Sequence, residues 1–444
     1  MSVIVLSPDQ VRAFDMARSW FLGATNSRPV FRLFGLAGTG KTTVIERLTS
    51  TLGLGASDVV YTATTGKAAK VLTAKGCKAT TVHKAFYRCV SSVEELWAAL
   101  GDERASLVAM LKSRPNDVGA PRWHQRLGEI DRELAHPTSD DLEFRFMGIS
   151  NISPAARLVI VDEASMLADE QYNDLCELGI PVILVGDHGQ LPPVNGGTKA
   201  VQNIDVALET IHRQGKDSSI LGIASRARSG RGIPIGNPEV GVEVRSGGGA
   251  HSVDQMLKNA GLTIDDLASA DQIICGTNDT RIEINEMMRV HLCDGQQYPT
   301  GHPAEKLIVT QNFDKPDAHL MNGSFIRVAP SARDPRFNVH GNFVDYPVRV
   351  VDIDGDATDV DMYGLWLAKF ECDRNDHRLK TEFKWAKSTI HAEWGWAITA
   401  HKSQGSQWDR VCVINESRYF RDDAKKWLYT AVTRARRDLL IIHP

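Results

Sequence analysis

Short runs of β-branched and apolar residues recur along the chain: VFRLF (30–34), DVVYT (58–62), LVIV (158–161), VILV (182–185), QIIC (272–275), RVCVI (410–414) and LLII (439–442). Runs this apolar over this length suit strands buried on both faces of a parallel sheet. Helix-like segments lie between several of them, as at 42–51 and 66–74, and the alternation predicts α/β layers. Two stretches break the rhythm. Residues 90–150 are charged, and VEELWAALGDERASLVAML within them predicts a helix with Val93, Leu96, Trp97 and Leu100 on one face. Residues 304–389 switch to period two, as in FVDYPVRVVDID (343–354), and predict a small β insertion. Residues 229–250, SGRGIPIGNPEVGVEVRSGGGA, are glycine-rich and predict a loop or flexible connector.

Composition adds three bounds. A chain of 444 residues is long enough for about three domains at ~150 residues each. Hydrophobic content of 42% and charged content of 24% are those of a soluble globular protein. The formal net charge is −4, so a polyanion would have to bind in a local groove and not across a basic surface. The seven cysteines include no C-x-x-C pair, which argues against a zinc site and suits buried thiols in a reducing compartment. The apolar run Val3–Leu6 is too short for a signal peptide, and no stretch approaches 18 consecutive apolar residues. A cytoplasmic protein with no membrane partner is expected.

The strongest chemical signal is GLAGTGKTT (35–43), which fits G-x-x-x-x-G-K-[ST] between a strand and a helix. Glycines let backbone N–H groups turn inward around phosphate oxygens, and the helix N-terminus adds partial positive charge. Gly35, Ala37, Gly38, Thr39, Gly40 and Thr43 would line the nucleotide, Lys41 would reach its β- and γ-phosphates, and Thr42 would ligate Mg²⁺. RLVIVDEAS (157–165) ends a strand in Asp162 and Glu163, at the sheet edge where ligands of α/β folds bind. Asp162 would hold Mg²⁺, and Glu163 would orient and activate the attacking water. A second strand ends in GDHGQLPPV (186–194), where Gln190 is placed to sense the γ-phosphate. These residues describe an ATPase without saying what the hydrolysis drives. Phosphoryl transfer also calls for an arginine; Arg213 and Arg434 are candidates, each of which read alone is a surface arginine.

Taken in order, GLAGTGKTT, TATTGKAAKVL, TTVHKAF, VDEAS, GDHGQLPPV, ETIHRQ, TAHKSQGSQWD and LYTAVTRAR resemble the helicase motifs of superfamily 1. The wording HKSQGS and QLPPV is similar to its 5′-to-3′ branch, the RecD-like helicases, and the length and layout look most like the small phage-type Dda helicases. The resemblance spans nearly the whole chain. It implies an α/β fold with two RecA-like parallel-sheet cores, ATP between them, and single-stranded DNA bound across both. The first core would take 1–89 and 151–195, with a duplex-splitting wedge at 90–150. The second would take 196–303 and 390–444, with a small β-barrel insertion at 304–389. Arg213 and Arg434 would reach the γ-phosphate. Thr65, Lys67, His83, Thr399, His401 and Lys402 would meet DNA, while Gly405 and Gln407 would lie nearer the nucleotide. Phe86 and Trp97 are each either a base-stacking aromatic or core. The resemblance further implies forked duplex DNA as a substrate, replication or recombination proteins as partners, action as a monomer, and, for a phage protein, the host-cell cytoplasm.

Two departures from the family pattern stand out. Thr64 replaces a proline, which alters the stiffness of the first DNA loop, and Gln407 replaces a glutamate, which removes a charged ribose contact but leaves an amide able to hydrogen-bond. Gln10 has two readings: the family's adenine contact, or the closing residue of a helix cap in Ser7-Pro8-Asp9-Gln10. DIDGDATDVD (352–361) lacks glycine at the sixth position and glutamate at the twelfth of a calcium loop, so it reads as a hairpin turn at 354–356.

Overall fold

A computed structural model of the chain describes residues 6–23, 28–89, 93–135, 144–149, 152–193, 197, 199–211, 216–295, 299, 301–315, 318–328, 336–337, 343–352, 360–366 and 389–444. The chain divides into two units, Met1–Gln214 and Gly215–Pro444.

In the first unit the strands are β1 (Val30–Gly35), β2 (Val59–Ala63), β3 (Ala79–Thr81), β4 (Tyr87–Cys89), β5 (Phe144–Phe146), β6 (Leu158–Asp162), β7 (Val182–Gly186) and β8 (Val206–Leu208). Six of them form one sheet in the order β3-β2-β6-β7-β1-β8, with every pairing parallel. The apolar runs are explained by this sheet, whose strands bury side chains on both faces. Phe31 and Leu33 pack with Ala13, Ala17 and Trp20 of the helix Pro8–Gly23, whereas Val30 and Phe34 pack on the other face with Phe86, Leu96 and Trp123. The sheet continues past residue 195, since β8 pairs with β1. β4 and β5 form a separate antiparallel ribbon. From it extends the charged insertion, two helices spanning Val93–Ser113 and Ala120–Ala135.

The first of those helices corrects one expectation. Leu96, Ala99, Leu100, Leu107 and Met110 are buried, but Trp97 is 48% exposed. The buried positions follow spacings of three and four residues, and Trp97 falls beside that stripe.

In the second unit the strands are β9 (Gly236–Glu239), β10 (Val242–Ser246), β11 (Gln272–Cys275), β12 (Leu307–Val309), β13 (Phe313–Lys315), β14 (Ala318–Leu320), β15 (Phe325–Val328), β16 (Arg336–Phe337), β17 (Phe343–Asp352), β18 (Val360–Trp366), β19 (Thr389–Trp394), β20 (Ala397–Thr399), β21 (Trp408–Ile414) and β22 (Ala435–His443). One sheet runs β20-β11-β21-β22-β10-β9 and is parallel except for its β9 edge. The glycine-rich stretch 229–250 is therefore not simply a loop: Val242 and Val244 are buried, and β10 pairs with β22. Glycines flank the strand at both ends, which hid it from a compositional reading. The β insertion forms a second sheet, β15-β12-β19-β18-β17-β16, in which β15 also pairs with β17, so the pairings of β12, β19, β18, β17 and β15 run in a closed ring. The turn expected at 354–356 lies outside the described residues; the strands on either side of it, β17 and β18, are antiparallel. Among the described residues no helix is long and apolar enough to cross a membrane.

Candidate functional site

At the C-terminal end of β1 the chain turns through Leu36–Gly40 into the helix Lys41–Thr51. Gly38 and Gly40 both have φ near +80° (81° and 77°), which a side chain would oppose. Gly35 is fixed by crowding: an added Cβ would lie 2.7 Å from Thr39 Oγ1 and 2.8 Å from Leu208 Cβ. Thr39 is fully buried and its hydroxyl donates to Leu36 O at 2.9 Å. Ala37, Thr42 and Thr43 are half-buried around this turn. The Lys41 ammonium donates to Gly35 O (2.7 Å) and Leu36 O (3.1 Å), so it folds over the loop that would hold phosphates.

Gln10 braces that loop. Its Nε2 donates to Thr39 O at 3.0 Å, while its Oε1 accepts from Ser7 N at 3.0 Å. The second bond is the return half of a capping box. The Ser7 hydroxyl, however, donates to Asp9 Oδ1, which also accepts from Gln10 N at 3.0 Å. Gln10 thus caps its helix and touches the phosphate loop with the same side chain.

Two strands away, β6 delivers Asp162 and Glu163. Asp162 Oδ1 accepts from Glu163 N at 2.9 Å. Burial raises the Asp162 carboxyl above its ordinary value, against the pull of that N–H and of the Lys41 ammonium. A carboxylate held up by desolvation would be drawn back down by a cation, so Asp162 and Thr42 suit Mg²⁺. Glu163 has φ 52° and ψ 36°, a left-handed conformation unusual outside glycine. Gln190 follows β7; it is 6% exposed, and its Oε1 is buried with no hydrogen-bond partner among the described residues. An orphaned acceptor in this position is open to a water or to a donor on a ligand. The glycine cradle, the raised carboxyl and this orphan together fit a nucleotide with its metal.

The residues expected to meet DNA share a local design. Thr65 and Thr399, and likewise Thr81 ahead of His83, each N-cap a helix that starts at the C-terminal end of a sheet strand, accepting from Ala68 N, Lys402 N and Lys84 N respectively. The stretch 399–407 is therefore partly helical, over Ala400–Ser403, and not simply a loop. Lys67, His83 and His401 sit two residues beyond their caps. His83 Nε2 lies 3.0 Å from the Gln171 amide nitrogen; because Gln171 Oε1 accepts from Ala168 N, the amide is the donor and His83 the acceptor. Burial lowers the pKa of both His83 and His401, the latter partly offset by Asp423. The His401 ring lies 6.0 Å from that of Phe420. Phe86 is a correction: it is fully buried in the core with Leu96 and Trp123 and has no face to offer a base.

In the second unit Arg434 is 3% exposed. Its guanidinium donates to Thr430 O (2.9 Å), Ser406 O (3.2 Å) and Thr433 Oγ1 (3.0 Å). It is therefore bound to the segment that follows the helical turn. Gly405 has φ 75°, and Gln407 donates through Nε2 to Thr433 O at 3.3 Å. Arg213 lies outside the described residues.

Sequence reasoning missed Glu393 and Arg281. Glu393, on β19, pairs with Lys402 and, at 2.9 Å, with Arg281 of the helix Asn278–Leu292. No local pattern points to it, because the pairing depends on how β19 and β20 are placed.

Comparison with known proteins agrees with the geometry. An AAA domain family model matches residues 6–235, and a UvrD-like helicase C-terminal domain model matches 395–442. The chain is similar to the ATP-dependent RecD2 DNA helicase of Deinococcus radiodurans, with 24% identity over 330 residues, covering 70% of this chain and 40% of that protein. It is also similar to the RecBCD enzyme subunit RecD of Mycobacterium tuberculosis, with 26% identity over 445 residues, covering 94% and 67%. A solved structure of two Pif1 helicases at forked duplex DNA is alike in fold, with a TM-score of 0.50 and 15% identity over 99% of this chain and 92% of that one. The chain thus spans less than half the length of the first of these relatives.

Proposed function

Since the chain belongs to the AAA domain family, we propose that it is an ATP-dependent superfamily 1 DNA helicase moving 5′ to 3′ on single-stranded DNA. The observation that carries this reading is the joining of two things in one unit: a glycine cradle with Lys41 opposite Asp162 and Glu163, and Thr65- and Thr81-capped helices at the same sheet edge. A relative named as an ATP-dependent RecD2 DNA helicase and another named as the RecD subunit of RecBCD support it.

Lys41 would release the Gly35 and Leu36 carbonyls to meet the β- and γ-phosphates. Mg²⁺, held by Thr42 and Asp162, would supply charge neutralisation on the phosphate oxygens. Glu163 would orient the attacking water and take its proton. Gln190 would turn its unpaired oxygen toward the water or the γ-phosphate environment, and Arg213 and Arg434 would stabilise charge on the transferred group. Gln10 would brace the phosphate loop, and Gly405 and Gln407 would contact the nucleoside. Thr65, Lys67, His83, Thr399, His401 and Lys402 would hold a single strand by hydroxyls, amides and a few charges, which suits a chain of net charge −4. Residues 90–150 would split the duplex and the ringed sheet near 304–389 would guide the strand. The working form would be a cytoplasmic monomer on forked duplex DNA, alongside replication or recombination proteins.

Partial duplexes with only a 5′ or only a 3′ single-stranded tail test the reading. ATP-dependent unwinding is expected with the 5′ tail, and hydrolysis should be stimulated more by single-stranded DNA than by RNA. Unwinding only from a 3′ tail overturns the polarity, and preference for RNA favours an RNA-remodelling ATPase. Hydrolysis that survives Lys41→Ala overturns the catalytic assignment.

A further inference from the structure

β2 and β6 are parallel neighbours whose register ends at Ala63 opposite Asp162. One residue further, the two chains remain tied. Thr64 N donates to Asp162 O at 3.3 Å, and Thr64 Oγ1 donates to Glu163 O at 3.1 Å. The second bond fixes the carbonyl of a residue in the left-handed region, with φ 52°. Such a conformation persists only where neighbouring groups over-determine it. The next residue, Thr65, uses its own hydroxyl to accept from Ala68 N and cap the helix Gly66–Ala74, which carries Lys67 in its first turn.

From this geometry we infer that Thr64 is a positioning residue for hydrolysis, tying the first DNA-binding loop to the backbone of the water-activating Glu163. The inference rests on the proposed helicase reading. Thr64 and Thr65 are joined by one peptide bond, with one hydroxyl on the hydrolytic turn and the other on the capped helix. A shift of that helix on a DNA strand is passed through this peptide to the Glu163 carbonyl, and so to the direction of its carboxylate. The proline found here in the resembling family has no N–H and no hydroxyl and makes neither bond. The link is therefore a property of this chain.

Thr64→Val keeps the β-branched shape and removes the hydroxyl; Thr64→Ser restores the hydroxyl without the methyl. In the full chain with saturating single-stranded DNA, Thr64→Val is expected to lower kcat for ATP about fivefold, the rate equivalent of one ordinary hydrogen bond. KM for ATP and Kd for DNA should each stay within about twofold, and Thr64→Ser should recover most of kcat, because only the hydroxyl is at issue. Should Thr64→Val prove insoluble, Thr64→Ala removes the same group with less bulk and is read the same way. A kcat within about twofold of the parent overturns the inference. So does a joint loss of kcat, KM and Kd, which marks a purely structural residue, and so does failure of Thr64→Ser to recover. Failure of the parent chain itself to show DNA-stimulated hydrolysis sinks the helicase reading instead, so the two failures are distinguishable.

Discussion

The Lys402 ammonium is paired with the buried carboxylate of Glu393, whose other oxygen holds Arg281 NH1 at 2.9 Å. A cation that the sequence assigns to DNA is thus already matched by a carboxylate. Two cations share this carboxylate, so a phosphate can take Lys402 while Glu393 stays paired with Arg281. Lys402→Met should therefore remove one phosphate contact. The slope of log Kd against log salt for single-stranded DNA should fall by about 0.7. Salt titrations of binding check this, and an unchanged slope would show that Lys402 meets no phosphate.

Removing the shared anion should instead harm the fold. Glu393→Gln removes the carboxylate that Lys402 shares with Arg281, whose side chain is only 11% exposed. A cost of about 2–3 kcal/mol is expected, at the low side for a broken buried pair because Lys402 reaches solvent. Urea unfolding monitored through the tryptophans measures it; a loss under about 0.5 kcal/mol would mean that water already screens the cluster.

The insertion holds a second charge cluster, in which Arg126 meets Glu103, Glu129 and Glu133. Glu103, with its side chain 2% exposed, accepts from Arg126 Nε (2.8 Å) and Arg126 NH2 (3.0 Å), joining the two helices of the insertion. Burial alone would lower the Arg126 pKa, but Glu103 and Glu129 outweigh it and raise the value. Glu103→Ala should cost about 1–2 kcal/mol: it removes a buried two-bond contact, but Arg126 NH1 keeps Glu129 (3.3 Å) and Glu133 (2.9 Å). The double variant Glu103→Met with Arg126→Met should recover part of that loss: it removes both buried charges together but also takes Arg126 from Glu129 and Glu133. Denaturant midpoints of the three proteins decide the matter, and equal losses in the single and double variants would show that packing, not charge, is responsible.

Gln10 separates two roles by nucleotide choice. Its amide is spent on Ser7 N and Thr39 O, neither of which depends on the base. Gln10→Ala should therefore raise KM for ATP and for GTP by similar factors, about three- to tenfold if one or two hydrogen bonds to the loop are lost. Steady-state hydrolysis with both nucleotides checks it. A rise confined to ATP would assign Gln10 to the adenine.

The sheets were legible in the sequence because parallel strands buried on both faces must be continuously apolar. The runs at 272–275 and 158–161 mark their strands within a residue. The phosphate loop was legible because its backbone demands glycine at named positions. β10 was not, since its two buried valines alternate with charge between glycine clusters. Nor could sequence decide between Phe86 and Trp97: both lie at helical spacings, and only tertiary packing buried the first and exposed the second. Glu393 was illegible for a different reason. Its partners lie on a helix more than 100 residues earlier and on a helical turn beyond a strand switch, and charge pairing at that range leaves no local pattern.

The histidines predict how stability varies with pH. His83 and His401 are both held below the ordinary histidine value by burial, and Asp423 only partly offsets this at His401. His83 must also accept from the Gln171 amide through Nε2, which requires the neutral ring. The folded state thus prefers both rings neutral, while in the unfolded chain they take up protons near pH ~6.5. Between those two values the unfolded state binds more protons, so stability rises with pH. The contribution is complete above about pH 6.5 and is lost as pH falls through the lowered values of the folded protein. The urea midpoint should accordingly fall between about pH 7 and pH 5, before most carboxylates titrate. A variant carrying His83→Gln and His401→Gln should lose less stability over that interval than the parent, whatever its starting value. Parallel curves for the two proteins would assign the acid sensitivity to other groups.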